Sequence, residues 1–182
     1  MEVSIVDGKA AFNDISFTIN PAIASLMAAR ICPEAPARVE DPGFGGAHPP
    51  YTSFFFPFYS RQNVDFQPEV RVYEVSGDHS EYVYPLNMLA ELRYTLEQKP
   101  EPAAWFKAPL NVREKYITFA NGEGLRSVVQ YMQDFFFFTN NGLLYEFHGL
   151  TQDGRHFVQV RYPLSEPFLM ELADEFTLHP QT

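Results

Sequence analysis

Short stretches in which apolar and polar residues alternate recur along the chain, and this period of two is typical of β-strands with one buried face. The stretch DISFTIN at 14–20 alternates in this way. The stretches 51–60 and 68–75 are rich in aromatic and β-branched residues and predict two further strands. Pro57 favours an edge position or a bulge for the first of these two, because proline donates no hydrogen bond to a neighbouring strand.

Apolar residues at helical spacing predict three helices. The clearest one extends from Pro85 to Lys99 and stops before Pro100. Its apolar stripe consists of Met88, Leu89, Leu92 and Leu96. A second helix is predicted over 21–30 and a third over 165–176, each with a side chain suited to capping at its N-terminus.

Two hairpins are predicted in the last seventy or so residues of the chain, and the first surrounds the sequence Asn-Gly-Glu-Gly at 121–124. We interpret Gly122 and Gly124 as turn glycines that permit a positive φ angle. A phosphate-binding loop is excluded, because no Lys-Ser/Thr pair follows these glycines and the context is not strand, loop and helix.

The second hairpin turns at Asp153-Gly154. If these two residues form the loop, Glu146 lies opposite Arg161 and His148 lies opposite Gln159. The apolar residues of both strands then share the other face: Tyr145, Phe147, Gly149, Val158, Val160 and Tyr162. Because apolar and polar side chains separate cleanly, the pattern supports this register.

Consecutive hairpins with inserted helices predict an α+β fold with a mainly antiparallel sheet, covered by two or three helices. The 182 residues form a single predicted domain over 1–182. It is interrupted by a Pro/Gly-rich loop at 33–50 and by a Pro-rich connector at 100–110.

Composition narrows the classes of partner. The net charge is −10 and the Lys and Arg residues do not cluster, so nucleic acid is an unfavourable partner. No apolar stretch is long enough to predict membrane insertion of this domain. Cys32 is the single cysteine, which excludes an internal disulfide and a multi-cysteine zinc site. The first twenty residues carry acidic side chains throughout and do not form a signal peptide, so an exported protein would have lost its leader.

The region from Ala120 to Pro163 resembles a family of uncharacterised exported bacterial proteins, which are often lipoproteins. The resemblance rests on the Asn-Gly-x-Gly-x-Arg stretch that ends at Arg126, on the pair Asn140-Asn141, and on YEFHGLTQDGRHFV at 145–158. It implies an extracytoplasmic location, either exported or lipid-anchored, and it implies no catalytic residue. The second hairpin is also similar to the PsbP-like fold of photosynthetic accessory proteins.

Candidate catalytic chemistry is sparse. The five histidines do not stand at metal-ligand spacing, no nucleophile elbow occurs, and no cofactor motif is present, so we expect neither a metal nor a cofactor. An enzyme is less favoured than a binding protein, and the alternative is a small hydrolase that uses His148 or His156 with nearby acids. The candidate polar face consists of Arg126, Glu146, His148 and Arg161. Arg126 is expected to pair with a carboxylate or, alternatively, with a ligand.

Two aromatic stretches, 51–59 and 135–138, carry the functional hypothesis. Alternation along a strand places successive phenylalanine rings on opposite faces. If one face packs against the core, the rings on the other face meet solvent or a partner. The predicted aromatic patch consists of Phe54, Phe56, Phe58, Phe136 and Phe138. The sequence therefore predicts a binding or assembly module for an apolar ligand or a protein, with self-association as one form of assembly. The remaining alternative is a structural scaffold whose aromatic residues are all interior.

Overall fold

The computed structural model describes residues 2–3, 8–20, 26–35, 48–57, 59, 67–75, 83–100, 108–131 and 138–169. These residues form ten strands and one helix. The first six strands are β1 (Glu2–Val3), β2 (Lys9–Phe12), β3 (Ile15–Thr18), β4 (Met27–Cys32), β5 (Tyr51–Phe55) and β6 (Glu69–Glu74). They are followed by helix α1 (Val83–Gln98) and by strands β7 (Leu110–Phe119), β8 (Gly122–Gln130), β9 (Leu143–Thr151) and β10 (His156–Pro163).

The main sheet has eight strands in the order β1-β4-β5-β6-β10-β9-β8-β7, and every neighbouring pair is antiparallel. Strands β2 and β3 form a separate two-stranded sheet. The predicted α+β class with a mainly antiparallel sheet is therefore confirmed. The predicted cover of two or three helices is not confirmed, because the described part of the chain contains one helix.

Helix α1 covers one face of the main sheet, which we call the helix face. Leu89, Leu92 and Leu96 follow the predicted apolar stripe and pack against Leu125 and Phe157 of the sheet. Each buried leucine contributes on the order of 2 kcal/mol. No helix in the described ranges is long and apolar enough to cross a membrane.

The ends of α1 follow from its sequence. Pro85 lies in the first turn, where a missing N–H group costs no intrahelical hydrogen bond. Lys99 takes a left-handed conformation with a φ angle of 43°, and its N–H donates to the carbonyl of Thr95 at 2.9 Å. Pro100 then prevents continuation, so the predicted boundaries of this helix are confirmed within two residues.

The opposite face of the main sheet, which we call the groove face, is partly covered by the β2–β3 hairpin. Phe17 lies edge-on against Phe54, with ring centroids 5.0 Å apart, and Phe12 approaches the same ring at 6.2 Å. Phe54 is fully buried, and Met27 and Ala29 complete this core. The half-buried strand predicted at 14–20 thus corresponds to β3, whose alternating burial matches the sequence pattern.

The helix predicted over 21–30 is wrong for residues 27–30, which belong to strand β4. Met27, Ala28 and Ala29 are buried in succession, because β4 lies between two strands and both of its faces are covered. Residues 21–25 lie outside the described residues. The edge position or bulge predicted from Pro57 is also wrong, because β5 ends at Phe55, lies between β4 and β6, and pairs with both in continuous register.

The other predicted connections are described in part. The loop at 33–50 is closed at its ends by a bridge between Ala35 and His48, with N–O distances of 3.0 and 2.9 Å, and 36–47 lie outside the description. In the connector at 100–110, only the two ends are described. Where the third helix was predicted to start, the N–H of Leu169 donates to the carbonyl of Glu166 at 3.0 Å and closes a turn, and 170–176 are not described.

Both predicted hairpins are present. In the second, Glu146 pairs with Arg161 and His148 with Gln159, so the predicted register is confirmed along β9 and β10. In the first, Phe119 pairs with Gly122, which places the two-residue turn at Ala120-Asn121. Gly122 and Gly124 therefore lie in strand β8, and their interpretation as turn glycines is wrong.

Asn140 ties the segment before β9 to the segment after β10. Its side-chain NH₂ group donates to the carbonyls of Glu166 and Leu169 at 3.1 and 2.9 Å, and its side-chain oxygen accepts from the N–H of Glu166 at 2.7 Å. Asn140 is buried, so these bonds satisfy a side chain that has little access to water.

Replacing Asn140 with alanine is expected to lower the free energy of unfolding by about 1–2 kcal/mol, because backbone groups at 166–169 lose their partners. Urea denaturation measures this change, and hydrogen exchange of the amide of Glu166 locates it. The neighbouring Asn141→Ala is the control and should change stability by less than about 0.5 kcal/mol. Equal effects of the two substitutions would contradict the assigned role.

Candidate functional site

A groove lies on the groove face of the main sheet, between the β2–β3 hairpin and strands β6, β10, β9 and β7. Its volume is about 700 Å³, which is within the range of ligand-binding cavities. Ile15, Phe17 and Ile19 line it from the hairpin, and Phe56 and Tyr59 line one end. We call this cavity the groove.

The main wall of the groove is the apolar face of the second hairpin. Tyr145 and Phe147 from β9 and Val158, Val160 and Tyr162 from β10 all line the cavity. Register explains this directly, since Tyr145 pairs with Tyr162 and Phe147 with Val160, and paired side chains point to the same face. The sequence placed these residues on one apolar face but did not identify them as the site.

Three tyrosines gather at the Pro163 end of this wall. The rings of Tyr145 and Tyr162 are stacked with centroids 4.5 Å apart and planes 14° apart, and Tyr59 approaches Tyr162 at 6.3 Å. The hydroxyl of Tyr59 donates to the carbonyl of Pro163 at 2.8 Å. Burial raises the pKa of Tyr162 to about 12 and also raises the pKa of Tyr145, so both phenols are neutral at neutral pH. Their hydroxyls are polar groups beside the apolar side chains of this wall. Ionisable residues line the cavity as well: Asp14, Glu69, Asp153, His156 and Arg161.

Glycines allow two phenylalanine rings to lie close to the strands of the sheet at the other end. Phe119 and Phe147 meet edge to face with centroids 5.9 Å apart, and both line the groove. A Cβ atom on Gly124 would lie 2.7 Å from the Phe147 ring and 2.6 Å from the backbone of Gly149. Gly124 and Gly149 are thus needed because the ring of Phe147 and the neighbouring backbone lie close to them, and not because of a positive φ angle.

Arg126 lies on the groove face, and its predicted position on the polar face with Glu146, His148 and Arg161 is wrong. It pairs with Phe147, while Ser127 pairs with Glu146. The prediction failed because the turn at Ala120-Asn121 sets which residues of β8 point to each face. Arg126 is half-buried and, among the described residues, forms no ion pair or hydrogen bond.

The other three polar candidates point to the helix face and hold the structure together. Glu146 is completely buried, and one of its oxygens accepts from Arg161 at 2.5 Å while the other accepts from the Tyr131 hydroxyl at 2.8 Å. Burial lowers the pKa of His148 to about 3, and the charge of Arg161 acts in the same direction. The His148 ring, which is 3% exposed, contacts the side-chain amide of Gln159 at 3.2 Å.

The predicted aromatic patch is divided by the structure. Phe54 is buried in the core, and Phe56 is buried but lines the groove, so these two rings do not form an open surface. Phe138 is 42% exposed. Phe58 and Phe136 lie outside the described residues.

Catalytic geometry is limited near the groove. Thr151 donates its hydroxyl to Asp153 at 2.6 Å and accepts the N–H of His156 at 3.0 Å, so these residues form a hydrogen-bonded turn. In the ranges that the structure describes, no group of three His, Cys, Asp or Glu side chains is arranged to hold a metal ion.

Comparison with protein-family models, curated proteins and solved structures finds no match. Fold and site together define the class of protein as an antiparallel α+β domain with an aromatic groove between its main sheet and a small β-hairpin.

Proposed function

We propose that this protein is a non-enzymatic binding module that holds an apolar small molecule in the groove. The observation that carries the proposal is a cavity of about 700 Å³ with aromatic and branched apolar side chains on both sides. Ligand sites are typically concave and mostly apolar, with a few polar groups that orient the ligand. The hydroxyls of Tyr145 and Tyr162 are polar groups of this kind.

A small molecule fits this groove better than a protein partner does. Protein interfaces are broad and bury surface over many residues, whereas this cavity is enclosed by the β2–β3 hairpin on one side and by the sheet on the other. Phe138 is the exposed member of the predicted patch among the described residues, and self-association through it is a separate prediction.

The hydrolase alternative is less well supported. His148 is buried on the helix face, away from the groove, and its pKa of about 3 makes it a poor general base at neutral pH. The hydroxyl of Thr151 is already bonded to Asp153. Neither of these two groups is available to act on a molecule bound in the groove. His156, the other histidine of this alternative, lines the groove together with Asp153.

We also propose that the protein acts outside the cytoplasm. This proposal rests on the resemblance of 120–163 to exported bacterial proteins. Fractionation of cells that produce the full natural protein, with detection by antibody, tests it. Recovery from the cytoplasmic fraction would contradict it.

Binding of N-phenyl-1-naphthylamine, a neutral fluorescent probe, tests the proposed function. We expect saturable binding of one probe per chain with a rise in fluorescence, because the probe leaves water for an apolar site. Val160→Trp places a large side chain in the groove and is expected to weaken binding by about tenfold or more. Titration at constant protein concentration measures both effects.

Tyr94→Trp provides the matched control. Tyr94 is exposed on α1, which covers the opposite face, so this substitution should leave probe affinity unchanged. Circular dichroism establishes that both variants are folded. Absence of probe binding by the natural chain, or equal binding by the folded Val160→Trp variant, would contradict the proposed site.

A further inference from the structure

Two cations lie on the groove face beside the groove, next to its lining residues. Strand β7 continues from the lining residues Phe119 and Ile117 to Lys115, and strand β8 continues on the same face to Arg126. Lys115 and Arg126 are directly paired across these strands, so both side chains point to the groove face. The apolar lining therefore ends beside two cations.

This pair of cations lacks a compensating anion among the described residues. Neither Lys115 nor Arg126 forms an ion pair or a hydrogen bond in that part of the chain. Like charges directly opposite each other on an antiparallel pair are destabilising. The protein as a whole carries a net charge of −10, so acidic residues are plentiful, yet none of those described pairs with these two.

The charge of Arg126 is close enough to act on the wall of the groove. Arg126 pairs with the lining residue Phe147. Burial raises the pKa of both Tyr145 and Tyr162, and the positive charge of Arg126 opposes that rise at each tyrosine. The guanidinium group is thus an electrostatic neighbour of the polar groups that line the cavity.

We propose that Lys115 and Arg126 bind the carboxylate of an amphiphilic ligand whose apolar chain lies in the groove. A mainly apolar groove beside two cations that pair with no described anion is complementary to a molecule with an apolar body and one anionic end. The planar guanidinium of Arg126 can donate two parallel hydrogen bonds to a carboxylate, and Lys115 adds a second charge. A carboxylate carries a single charge and is easier to desolvate at a half-buried site than a doubly charged phosphate.

This inference rests on the proposed function and specifies its ligand class. Its test is displacement of N-phenyl-1-naphthylamine by dodecanoate and by dodecan-1-ol at pH 8, since the two molecules share a chain and differ in the head group. The natural chain is expected to prefer dodecanoate by about tenfold. Higher ionic strength should reduce this preference, because salt screens the attraction.

Arg126→Gln is expected to remove the preference for dodecanoate while affinity for dodecan-1-ol stays the same. Lys115→Gln should reduce the preference in the same direction, and it substitutes an exposed residue that does not contribute to the core. Lys9→Gln is the matched control. Lys9 is exposed on β2 beside the buried Ala10, so its side chain points away from the core, and its loss should not change the preference.

The outcomes separate the two proposals. If the probe and both dodecyl compounds bind but the natural chain shows no preference, the carboxylate site is wrong and the apolar groove stands. A preference that persists in both Arg126→Gln and Lys115→Gln also overturns the carboxylate site. If neither the probe nor either dodecyl compound binds, both proposals fail.

Discussion

Replacing Arg161 with methionine is expected to lower the free energy of unfolding by about 3–5 kcal/mol, because it leaves a buried carboxylate without its cation. The side chain of Glu146 is 1% exposed, and Arg161 donates to it at 2.5 Å. The Tyr131 hydroxyl supplies one further hydrogen bond but no charge. Urea denaturation at pH 7 measures the loss.

The double variant Glu146→Leu/Arg161→Met should recover most of the stability that the single substitution loses, since it removes the buried carboxylate together with its cation. Arg155→Met is the control, because Arg155 is exposed and its loss should cost less than about 0.5 kcal/mol. A cost below about 1 kcal/mol for Arg161→Met would show that Glu146 finds compensation elsewhere.

Acid is expected to destabilise the folded protein through His148, in a window between pH 6.5 and about 3. The pKa of His148 is about 3 in the folded state, whereas an unfolded histidine has a pKa near 6.5. Above pH 6.5, His148 is neutral in both the folded and the unfolded state, and its ionisation does not lower the free energy of unfolding. As the pH falls below 6.5, the unfolded chain takes up a proton that the folded protein cannot, so stability decreases by about 1.4 kcal/mol per pH unit.

His148→Gln should remove this dependence while it keeps a side chain that forms hydrogen bonds. Between pH 7.5 and pH 4.0, the natural chain is expected to lose about 3 kcal/mol more than the variant does. His156→Gln is the control at a half-exposed position of the same hairpin. Parallel stability curves for the natural chain and His148→Gln across this range would contradict the assignment.

Local signals predicted the second hairpin and α1 well. The Asp153-Gly154 turn left one register in which apolar and polar side chains separate, and this is the register of β9 and β10. The spacing of Leu89, Leu92 and Leu96, with Pro100 beyond them, determined the helix in the same way. In both cases the information lies within about twenty residues of sequence.

Strand β4 was not predictable from such signals, because alanine and methionine favour helices in isolation. Its position between β1 and β5 buries Met27, Ala28 and Ala29, and this tertiary environment overrides the local preference. The face of Arg126 was missed for a related reason. A turn at Ala120-Asn121 fixes which side of β8 it occupies, and the Asn-Gly signal pointed to a different loop.

The groove was predictable only in part. The apolar face of the second hairpin and the alternation of Ile15, Phe17 and Ile19 are visible in the sequence, but their meeting across a cavity is a long-range contact. The runs of phenylalanine drew attention instead to residues such as Phe54, which the structure places in the core. A signal that could have found the site is the large apolar face that β9 and β10 share in the predicted register.

The two-stranded sheet of β2 and β3 has a consequence for ligand entry. Within the described chain its backbone hydrogen bonds are internal, such as the one from Ile19 to Gly8, and it meets the main sheet through side chains such as Phe12 and Phe17. Separating the hairpin from the main sheet therefore loses apolar side-chain contacts but breaks no hydrogen bonds between the strands of either sheet. An apolar ligand that enters between the two layers would replace the side-chain contacts that it displaces. The hairpin can therefore separate from the main sheet at the lowest cost when a ligand is bound.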